Sequence, residues 1–325
     1  MKTRTLGRTS LEVSPIAYGT WQFSGQWGPV DESTAIAAVR KARELGVNFF
    51  DTAQGYGFGV SERLLARALA DELASDRSSV VLATKGGLRV EGDRTLRDSS
   101  PEWLRVGVES SLDALGVDYL DLYQVHWPDY ETPMEASAET LAGFVEKGLI
   151  RHVGVSNFSV DQMQAFSAVL PVETLQSPYH LFRRDLEVEV LPYVAKEHIG
   201  VLAYGSLAHG MLGGRFNADT TFPADDWRHH SSVFRGEPMR RNAAAVAALE
   251  QIARELDATV AQLAVAWVLR RPEIDVAIVG SMRAAHIEET VRGADLVLPD
   301  EVVDRIEAVM ADSVQILGAN PEGFN

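Results

Sequence analysis

One unit recurs along the chain: an amphipathic run ends at a glycine, and an apolar run rich in β-forming residues follows. The unit is clearest at 44–50, 114–120, 146–152 and 198–204. Glycine is the usual residue just after a helix because it accepts a positive φ. The apolar run after it is typical of a strand buried on both faces. Helices that alternate with buried strands predict a parallel sheet.

The alternation predicts eight strand–helix units. Strands are expected at 14–18, 47–50, 79–84, 119–125, 150–155, 173–176, 200–204 and 275–279. Helices are expected at 32–45, 61–74, 101–115, 134–147, 160–168, 187–197, 259–270 and 285–293, with two extra helices at 239–256 and 299–311. The first dozen residues, with Gly7 in the middle, predict a small N-terminal β-hairpin. Eight units in 325 residues indicate a single α/β domain, 1–325, of the (β/α)8 TIM-barrel class, with an open eight-stranded sheet as the alternative.

The sequence predicts three helix N-termini from local capping signals. Thr132 to Glu135 and Ser159 to Gln162 fit capping boxes, in which the first side chain accepts from the backbone three residues on. Ser100 is followed by Pro101, which is favoured at the first helical position. These signals support the predicted helices.

Composition excludes several classes of protein. The chain has no cysteine, which excludes a disulfide scaffold, a thiolate nucleophile and a cysteine-based metal site. Lys+Arg 30 against Asp+Glu 46 gives a net charge of −16, which argues against a nucleic-acid or anionic-membrane partner. We expect no signal peptide, no membrane span and a cytoplasmic location. A monomer is the default expectation, and a homo-oligomer is the alternative.

Polar residues or a tight glycine turn follow seven consecutive predicted strands. In chain order they are Asp51 (with Tyr56 five residues on), Lys85, His126, Ser156 with Asn157, Gln176, Tyr204, and Gly280 with Ser281. The chemistry of a closed barrel lies at the C-terminal ends of its strands. The barrel therefore predicts that these groups meet at one mouth.

Asp51, Tyr56, Lys85 and His126 form a coherent acid–base set. A free tyrosine has a pKa of about 10, and a nearby lysine ammonium is expected to lower it. Asp51 can pair with Lys85, and His126 can hydrogen-bond a carbonyl oxygen beside the Tyr56 hydroxyl. General acid catalysis of this kind contributes roughly 10²–10⁴-fold. Because the set holds no nucleophile, a hydride from a cofactor fits as the attacking species.

Each of these residues also has a plain structural interpretation. Asp51 and Lys85 fit an ion pair at a barrel rim, and His126 alone fits a hydrogen-bonded core histidine. The tyrosines fit packing at the mouth, and Ser156 with Asn157 fits a turn. The order of the residues on successive strands favours the chemical interpretation of the set.

Five segments of the sequence resemble the aldo-keto reductase superfamily: NFFDTAQGYG, VVLATKGG, YQVHWP, VGVSNF and AYGSLAHGMLGG. The resemblance runs from the first strand to about residue 310. The run DDWR at 225–228 resembles bacterial stress- and inositol-associated reductases, which is a weaker hint.

The resemblance implies a role for each matching position. Tyr56 would be the proton donor, tuned by Lys85 and Asp51, and His126 would orient the carbonyl. The cofactor would be held by Gly19, Thr20, Trp21, Asp51, Ser156, Asn157, Gln176, Tyr204, Gly205, Ser206, Leu207 and Gly210, and at its adenosine end by Gly280, Ser281, Arg283, His286 and Glu289. The implied substrate contacts are Trp21, Tyr56, His126 and Trp127.

The loop after the eighth strand departs from the family pattern. A basic residue common two positions after the glycine is replaced here by Met282, and Arg283 follows it. Arginine suits a 2′-phosphate, so we expect NADPH as the cofactor, with NADH as the alternative. A solvated arginine at a helix start is the structural alternative for Arg283.

Several other functional motifs are absent from the sequence or incomplete in it. The glycines around Tyr56 miss the dinucleotide fingerprint because its third glycine is replaced by Val60. The sequence contains no phosphate-binding P-loop, no G-x-S-x-G elbow and no H-E-x-x-H metal motif. A barrel glycosidase would need two carboxylates at strand ends, and only Asp51 is found.

The long connection 205–240 and the tail 312–325 are expected near the substrate pocket. The connection carries Trp227, Arg228, Phe234 and Arg235, although ordinary packing is the alternative for each aromatic. The chain is thus expected to be an NADPH-dependent reductase of aldehydes or ketones. A sugar or polyol dehydrogenase running in reverse and a nicotinamide-binding regulatory subunit are the alternatives.

Overall fold

In a computed structural model of the protein, residues 1–317 are described together with the backbone of 319–320 and 323–324. Eight parallel strands close into a barrel in the order β6-β7-β8-β1-β2-β3-β4-β5. The barrel strands are β1 Ile16–Gly19, β2 Phe49–Asp51, β3 Val81–Gly86, β4 Leu120–Val125, β5 Ile150–Ser156, β6 Thr174–Pro178, β7 Gly200–Tyr204 and β8 Val276–Val279. The predicted (β/α)8 barrel is confirmed, and the open sheet is wrong.

Eleven α-helices are found in the described part of the chain, and most of them surround the barrel. They are α1 Glu32–Glu44, α2 Val60–Ala68, α3 Ala70–Ser75, α4 Pro101–Leu115, α5 Met134–Glu146, α6 Val160–Ser167, α7 Val190–Glu197, α8 Gly236–Glu255, α9 Val260–Leu269, α10 Ala284–Val291 and α11 Asp300–Met310. The predicted helix at 61–74 is divided into α2 and α3 at Leu69. The two extra helices are α8 and α11, which pack on each other. No described helix combines the length and apolar character needed to cross a bilayer.

The predicted glycine just after a helix is observed, with positive φ, in three of the four recurring units. Gly46, Gly116 and Gly148 all have positive φ just after a helix. At the fourth unit His198 takes the left-handed position with φ 55°, and Gly200 instead opens β7. A side chain at Gly200 would collide with Leu6 of the N-terminal segment, because a Cβ there would lie 2.9 Å from Leu6 Cδ1. That glycine is therefore a packing residue.

Two of the three predicted helix starts are observed. Ser159 and Gln162 form both bonds of a capping box, and the Ser100 side chain caps α4 with Pro101 at its start. Thr132 does not cap α5: its hydroxyl donates to the Asp129 carboxylate at 2.6 Å instead. A closer carboxylate acceptor has displaced the local cap.

Short antiparallel hairpins lie outside the barrel. Arg4–Thr5 pairs with Glu12–Val13, which confirms the N-terminal hairpin. A second hairpin, Leu88–Glu91 with Arg94–Arg97, follows β3 and was not predicted. The described part of the C-terminal tail, 312–317, hydrogen-bonds Asn242 of α8 and the carbonyl of Phe182. It does not line the main cavity, and the rest of the predicted tail contact lies outside the described residues.

Candidate active site

A cavity of about 840 Å³ opens at the C-terminal ends of the barrel strands. It runs from Tyr56 and His126 to the first turn of α10. Every residue that the sequence predicts as a cofactor contact lines it, and so do Trp127 and the arginine Arg228 of the long connection. Lys85 lies behind the wall, fully buried. The fold therefore brings the strand-end residues to one mouth, as the barrel requires.

A buried polar network lies at the floor of the cavity. The Lys85 ammonium donates to Asp51 Oδ1 at 2.7 Å and to the Thr52 carbonyl at 2.8 Å. The other Asp51 oxygen accepts from Gln176 Nε2 at 2.8 Å. Both carboxylate oxygens are therefore engaged, which offsets the cost of burying the charges. The network fixes the position of Lys85.

Tyr56 and His126 sit directly above this network. The Lys85 nitrogen is 5.0 Å from the centre of the Tyr56 ring, and the Tyr56 and His126 rings meet edge to face with centroids 5.6 Å apart. His126 Nδ1 is buried without a hydrogen-bond partner. Nε2 is therefore the ring nitrogen that can reach a ligand in the cavity.

Burial dominates the protonation of the set. It raises the pKa of Tyr56 well above its usual value, and the negative charge of Asp51 adds to the rise. Burial also lowers the pKa of His126 far below its usual value, helped by the Lys85 charge. Burial and the Asp51 charge therefore set the direction of the Tyr56 pKa in the protein alone, and the lowering by Lys85 stays a prediction. At neutral pH Tyr56 is a protonated phenol and His126 is a neutral imidazole.

A second polar group stands beside the first, at the ends of β5 and β7. Asn157 Nδ2 donates to the His126 carbonyl at 3.1 Å and to Ser156 Oγ at 2.9 Å, while its Oδ1 accepts from the Tyr204 hydroxyl at 2.8 Å. Asn157 has a φ of 64°, a left-handed conformation that asparagine tolerates better than most residues. These bonds hold the Tyr204 ring across the cavity wall.

The loop after β7 curls along the cavity. Gly205, Ala208, His209 and Gly210 all have positive φ. The loop is tightly turned here, since the Ala208 and Gly210 N–H groups donate to backbone carbonyls three residues earlier. The loop therefore lines the cavity with backbone at this point and with the cationic side chains of Arg215 and Arg228 further along.

The far end of the cavity is basic. The Arg215 guanidinium hydrogen-bonds His286 Nε2 and lies 3.8 Å from the Glu289 carboxylate. The other His286 nitrogen meets Ser281 Oγ at 3.2 Å. Arg283 is the N-cap residue of α10 and is exposed. Burial lowers the pKa of His286, and the charges of Arg215 and Arg283 lower it further. This end is suited to an anion.

Aromatic residues from two loops meet beside the cavity. Trp21 stacks on Trp227 with centroids 6.0 Å apart, and Trp27 packs edge-on against both. Trp227 is buried behind the wall, and so is Phe234, while Arg235 is exposed and does not line the cavity. Arg228 lies over the Trp27 ring at 4.8 Å and donates to the His209 carbonyl at 3.0 Å. In the second half of the long connection Arg228 lines the cavity, while the first half lines it from Gly205 to Phe216.

Sequence reasoning missed several lining residues. Leu88, Val90 and Thr95 come from the hairpin after β3, and Arg215 and His209 come from the loop after β7. The hairpin had a signal: Gly92-Asp93 is a two-residue turn pair between alternating residues. The loop residues had none. Among the described residues no group of His, Asp or Glu side chains is arranged to hold a metal ion.

Comparison with known proteins gives consistent matches across the chain. Residues 15–311 match the model of the Aldo/keto reductase family. Aldo-keto reductase YhdN of Bacillus subtilis (strain 168) is 39% identical over 290 residues, which is 89% of this chain and 87% of that one. Among solved structures, the chain is similar to the glycerol dehydrogenase AKR11B4 from Gluconobacter oxydans, with a TM-score of 0.87, 36% identity and 95% of both chains covered.

Two further relatives have names that specify a cofactor. Aldo-keto reductase yakc of Schizosaccharomyces pombe, named for NADP(+), is 30% identical over 98% of this chain and 93% of its own. The NADH-specific methylglyoxal reductase of Escherichia coli (strain K12) is 30% identical over 92% of this chain and 95% of its own. Since the family match and all four relatives extend over nearly the whole barrel, the chain belongs to the aldo/keto reductase family of oxidoreductases.

Proposed function

We propose that the protein reduces an aldehyde or ketone with NADPH, with Tyr56 as the general acid. One observation carries the proposal. The Tyr56 and His126 rings share one wall of the cavity, 5.6 Å apart, directly above the buried Lys85–Asp51 pair. A proton donor and a carbonyl-binding group are thus juxtaposed with a cation that stabilises the anion left behind.

The residues present fit a nicotinamide group. Ser156, Asn157 and Gln176 offer hydroxyl and amide groups at one level of the barrel mouth, which match the donor and acceptor atoms of a carboxamide. Tyr204 offers an aromatic face beside them, held by its bond to Asn157. When bound, the reduced cofactor supplies the hydride. The volume of about 840 Å³ lies within the range of roughly 300–1,000 Å³ usual for ligand sites.

The chain's own residues handle the proton. Tyr56 is protonated at neutral pH because burial raises its pKa, so it is ready to give a proton to the carbonyl oxygen. The Lys85 ammonium then faces a phenolate and stabilises it. Asp51 keeps Lys85 charged, since burial alone lowers the lysine pKa. Neutral His126 donates from Nε2 to the same carbonyl oxygen and orients it.

The basic far end of the cavity supports NADPH over NADH. Arg215, Arg283 and His286 surround the position that the resemblance assigns to the 2′-phosphate. Arginine binds phosphate well because its fork of N–H donors matches the oxygens. Arg215 also compensates for Met282, which occupies the common basic position of the family.

The other candidate functions follow from the same site. Tyr56 and Lys85 work equally well as base and cation in alcohol oxidation, and a solved relative is named as a glycerol dehydrogenase. A nicotinamide-binding regulatory subunit would need the cofactor contacts and not the acid. We further propose a monomeric protein in the cytoplasm, since a chain without cysteine suits a reducing compartment.

The test is Tyr56→Phe, assayed for NADPH oxidation with a panel of aldehydes and ketones. We expect kcat to fall about 10²–10⁴-fold, because the acid is lost. The NADPH dissociation constant, measured by tryptophan fluorescence, is expected to stay within about twofold, since general acid catalysis is not part of cofactor binding.

Tyr193→Phe on α7, outside the cavity, is the matched control and keeps full activity. Unchanged turnover in Tyr56→Phe would refute the acid assignment. Tight NADPH binding by the wild type with no turnover of any carbonyl or alcohol would favour the regulatory subunit.

A further inference from the structure

The hairpin after β3 places an apolar side chain beside Gly55, the residue that directly precedes Tyr56. A Cβ built on Gly55, next to Tyr56, would lie 3.4 Å from Leu88 Cδ1 and 3.9 Å from His126 Nδ1. Leu88 is the first residue of the hairpin and is buried. The wall of the cavity beside the reacting position is therefore aliphatic.

The same face of the hairpin continues outward to solvent. Side chains alternate along a strand, so Leu88 and Val90 point to the same side. Val90 pairs with Thr95, and both line the cavity. Exposure rises from 7% at Leu88 to 52% at Val90. An apolar surface therefore leads from the reacting position to the mouth.

Phe58, two residues after the proposed acid Tyr56, also lines the cavity. It is 41% exposed and adopts a φ of 47°. That left-handed conformation is unfavourable for a bulky residue. Neither burial nor local backbone preference explains a phenyl ring here. An exposed apolar surface at a cavity mouth is typical of a ligand-binding site.

Charge is nearly absent from this end of the cavity. Among the described lining residues near Tyr56, Asp51 is the one carboxylate, and both its oxygens are already bonded. The lining arginines Arg215, Arg228 and Arg283 come from the loops after β7 and β8, at the cofactor side. The hairpin's own arginines are not among the lining residues: Arg97, for example, lies over the Trp127 ring and donates to the Pro128 carbonyl. A carboxylate or phosphate on the substrate would therefore meet no cationic side chain on the lining face of the hairpin.

We propose that Leu88, Val90 and Phe58 form an apolar track that binds the hydrocarbon body of the substrate. The preferred substrates are uncharged aldehydes with a medium or long alkyl or aryl chain, and short, polar or anionic carbonyls are poor ones. This inference rests on the proposed carbonyl reduction at Tyr56. From Leu88 to Val90 the track spans about 7 Å, roughly the length of five or six methylenes.

The test is kcat/KM for straight-chain aldehydes from propanal to decanal. Burial of each added methylene is worth about fourfold at most, so we expect kcat/KM to rise about two- to fourfold per carbon and to level off when the chain passes Val90. Succinic semialdehyde, which carries a carboxylate, is expected to be at least tenfold poorer than pentanal.

Two variants locate the effect. Val90→Ser removes the outer part of the track, and Phe58→Asn removes the ring while keeping a residue that tolerates the left-handed backbone. Each is expected to lower the octanal-to-propanal ratio of kcat/KM about three- to tenfold. Val106→Ser, at a similarly exposed valine on α4, is the control and leaves the ratio unchanged.

The outcomes separate this inference from the function on which it rests. Tyr56-dependent reduction with no dependence on chain length, or with a ratio unaffected by both variants, overturns the track alone. Failure to reduce any aldehyde overturns the proposed function and the track with it. A chain-length slope that both track variants flatten supports both.

Discussion

The two ends of the cavity are built in opposite ways. At the acid–base end, Lys85 and Asp51 are 0% and 2% exposed, and each charged group is matched by a partner. At the basic end, the Arg215 side chain is 53% exposed, and the charges of Arg215 and Arg283 both lower the pKa of the neighbouring His286. One end is an internal part of the barrel, while the other is a partly exposed cluster in which positive groups outnumber the single carboxylate of Glu289.

This difference assigns the acid–base chemistry to the buried end of the cavity and the choice between NADPH and NADH to the basic end. The buried pair is held by strands β2 and β3, so its geometry exists before any ligand binds. The basic cluster lies on the loop after β7 and the first turn of α10, and Glu289 is the one carboxylate that it contacts. An anionic ligand would add the negative charge that balances the rest. Substitutions at the acid–base end should therefore affect folding and catalysis, whereas those at the basic end should affect cofactor selectivity.

The largest effect is expected from Lys85→Met. Removing the ammonium leaves Asp51 buried and unpaired, which costs about 3–5 kcal/mol in the free energy of unfolding. Urea denaturation of the purified variant measures it. Lys196→Met, at an exposed ion pair on α7, is the control and should change stability by less than about 1 kcal/mol. Equal stability of the two variants would show that the buried pair does not organise this end.

An intermediate effect is expected from Arg283→Ala and Arg215→Ala at the basic end. Each removes charge-assisted bonds worth about 1.5–3 kcal/mol, so the dissociation constant for NADPH should rise at least tenfold. NADH binding should be unchanged, because NADH has no 2′-phosphate. Arg292→Ala, just beyond α10 and paired with Glu288, serves as the control. An equal rise in the dissociation constants of NADPH and NADH would show that these arginines do not contact the 2′-phosphate.

The smallest effect is a pH dependence carried by His286. Burial, Arg215 and Arg283 hold its pKa below the ordinary value, so it is neutral at neutral pH without ligand. A phosphate dianion beside it raises that pKa, so binding takes up a proton and is stronger at lower pH. We expect the preference for NADPH over NADH to increase about two- to threefold from pH 8 to 6.5.

His286→Gln should abolish this pH dependence while leaving a preference for NADPH. Titration calorimetry with both cofactors at the two pH values measures it. A preference that is the same at both pH values in the wild type, or that keeps its pH dependence in the variant, would remove His286 from the phosphate site.

Most of the barrel was predictable because its signals are local. Buried parallel strands are short apolar runs, and helix ends have caps, so the eight strands fall within a few residues of their predicted positions. The acid–base residues were found because strand ends share one edge. His198 and Thr132 show the limit: a left-handed histidine and a competing carboxylate replaced the expected glycine stop and cap.

By itself the sequence determined the barrel and the strand-end residues at its mouth, since the periodicity of apolar residues and the polar residues after each strand are local features of the chain. Its motifs carried the resemblance to the family. Only the tertiary structure decided the protonation of Tyr56, because burial depends on what packs around the ring. It also decided that Arg215 meets His286, 71 residues away, and that Leu88 of the hairpin after β3 packs beside Gly55. Contacts between loops carry no periodic signal, because their positions depend on the packing of the finished fold.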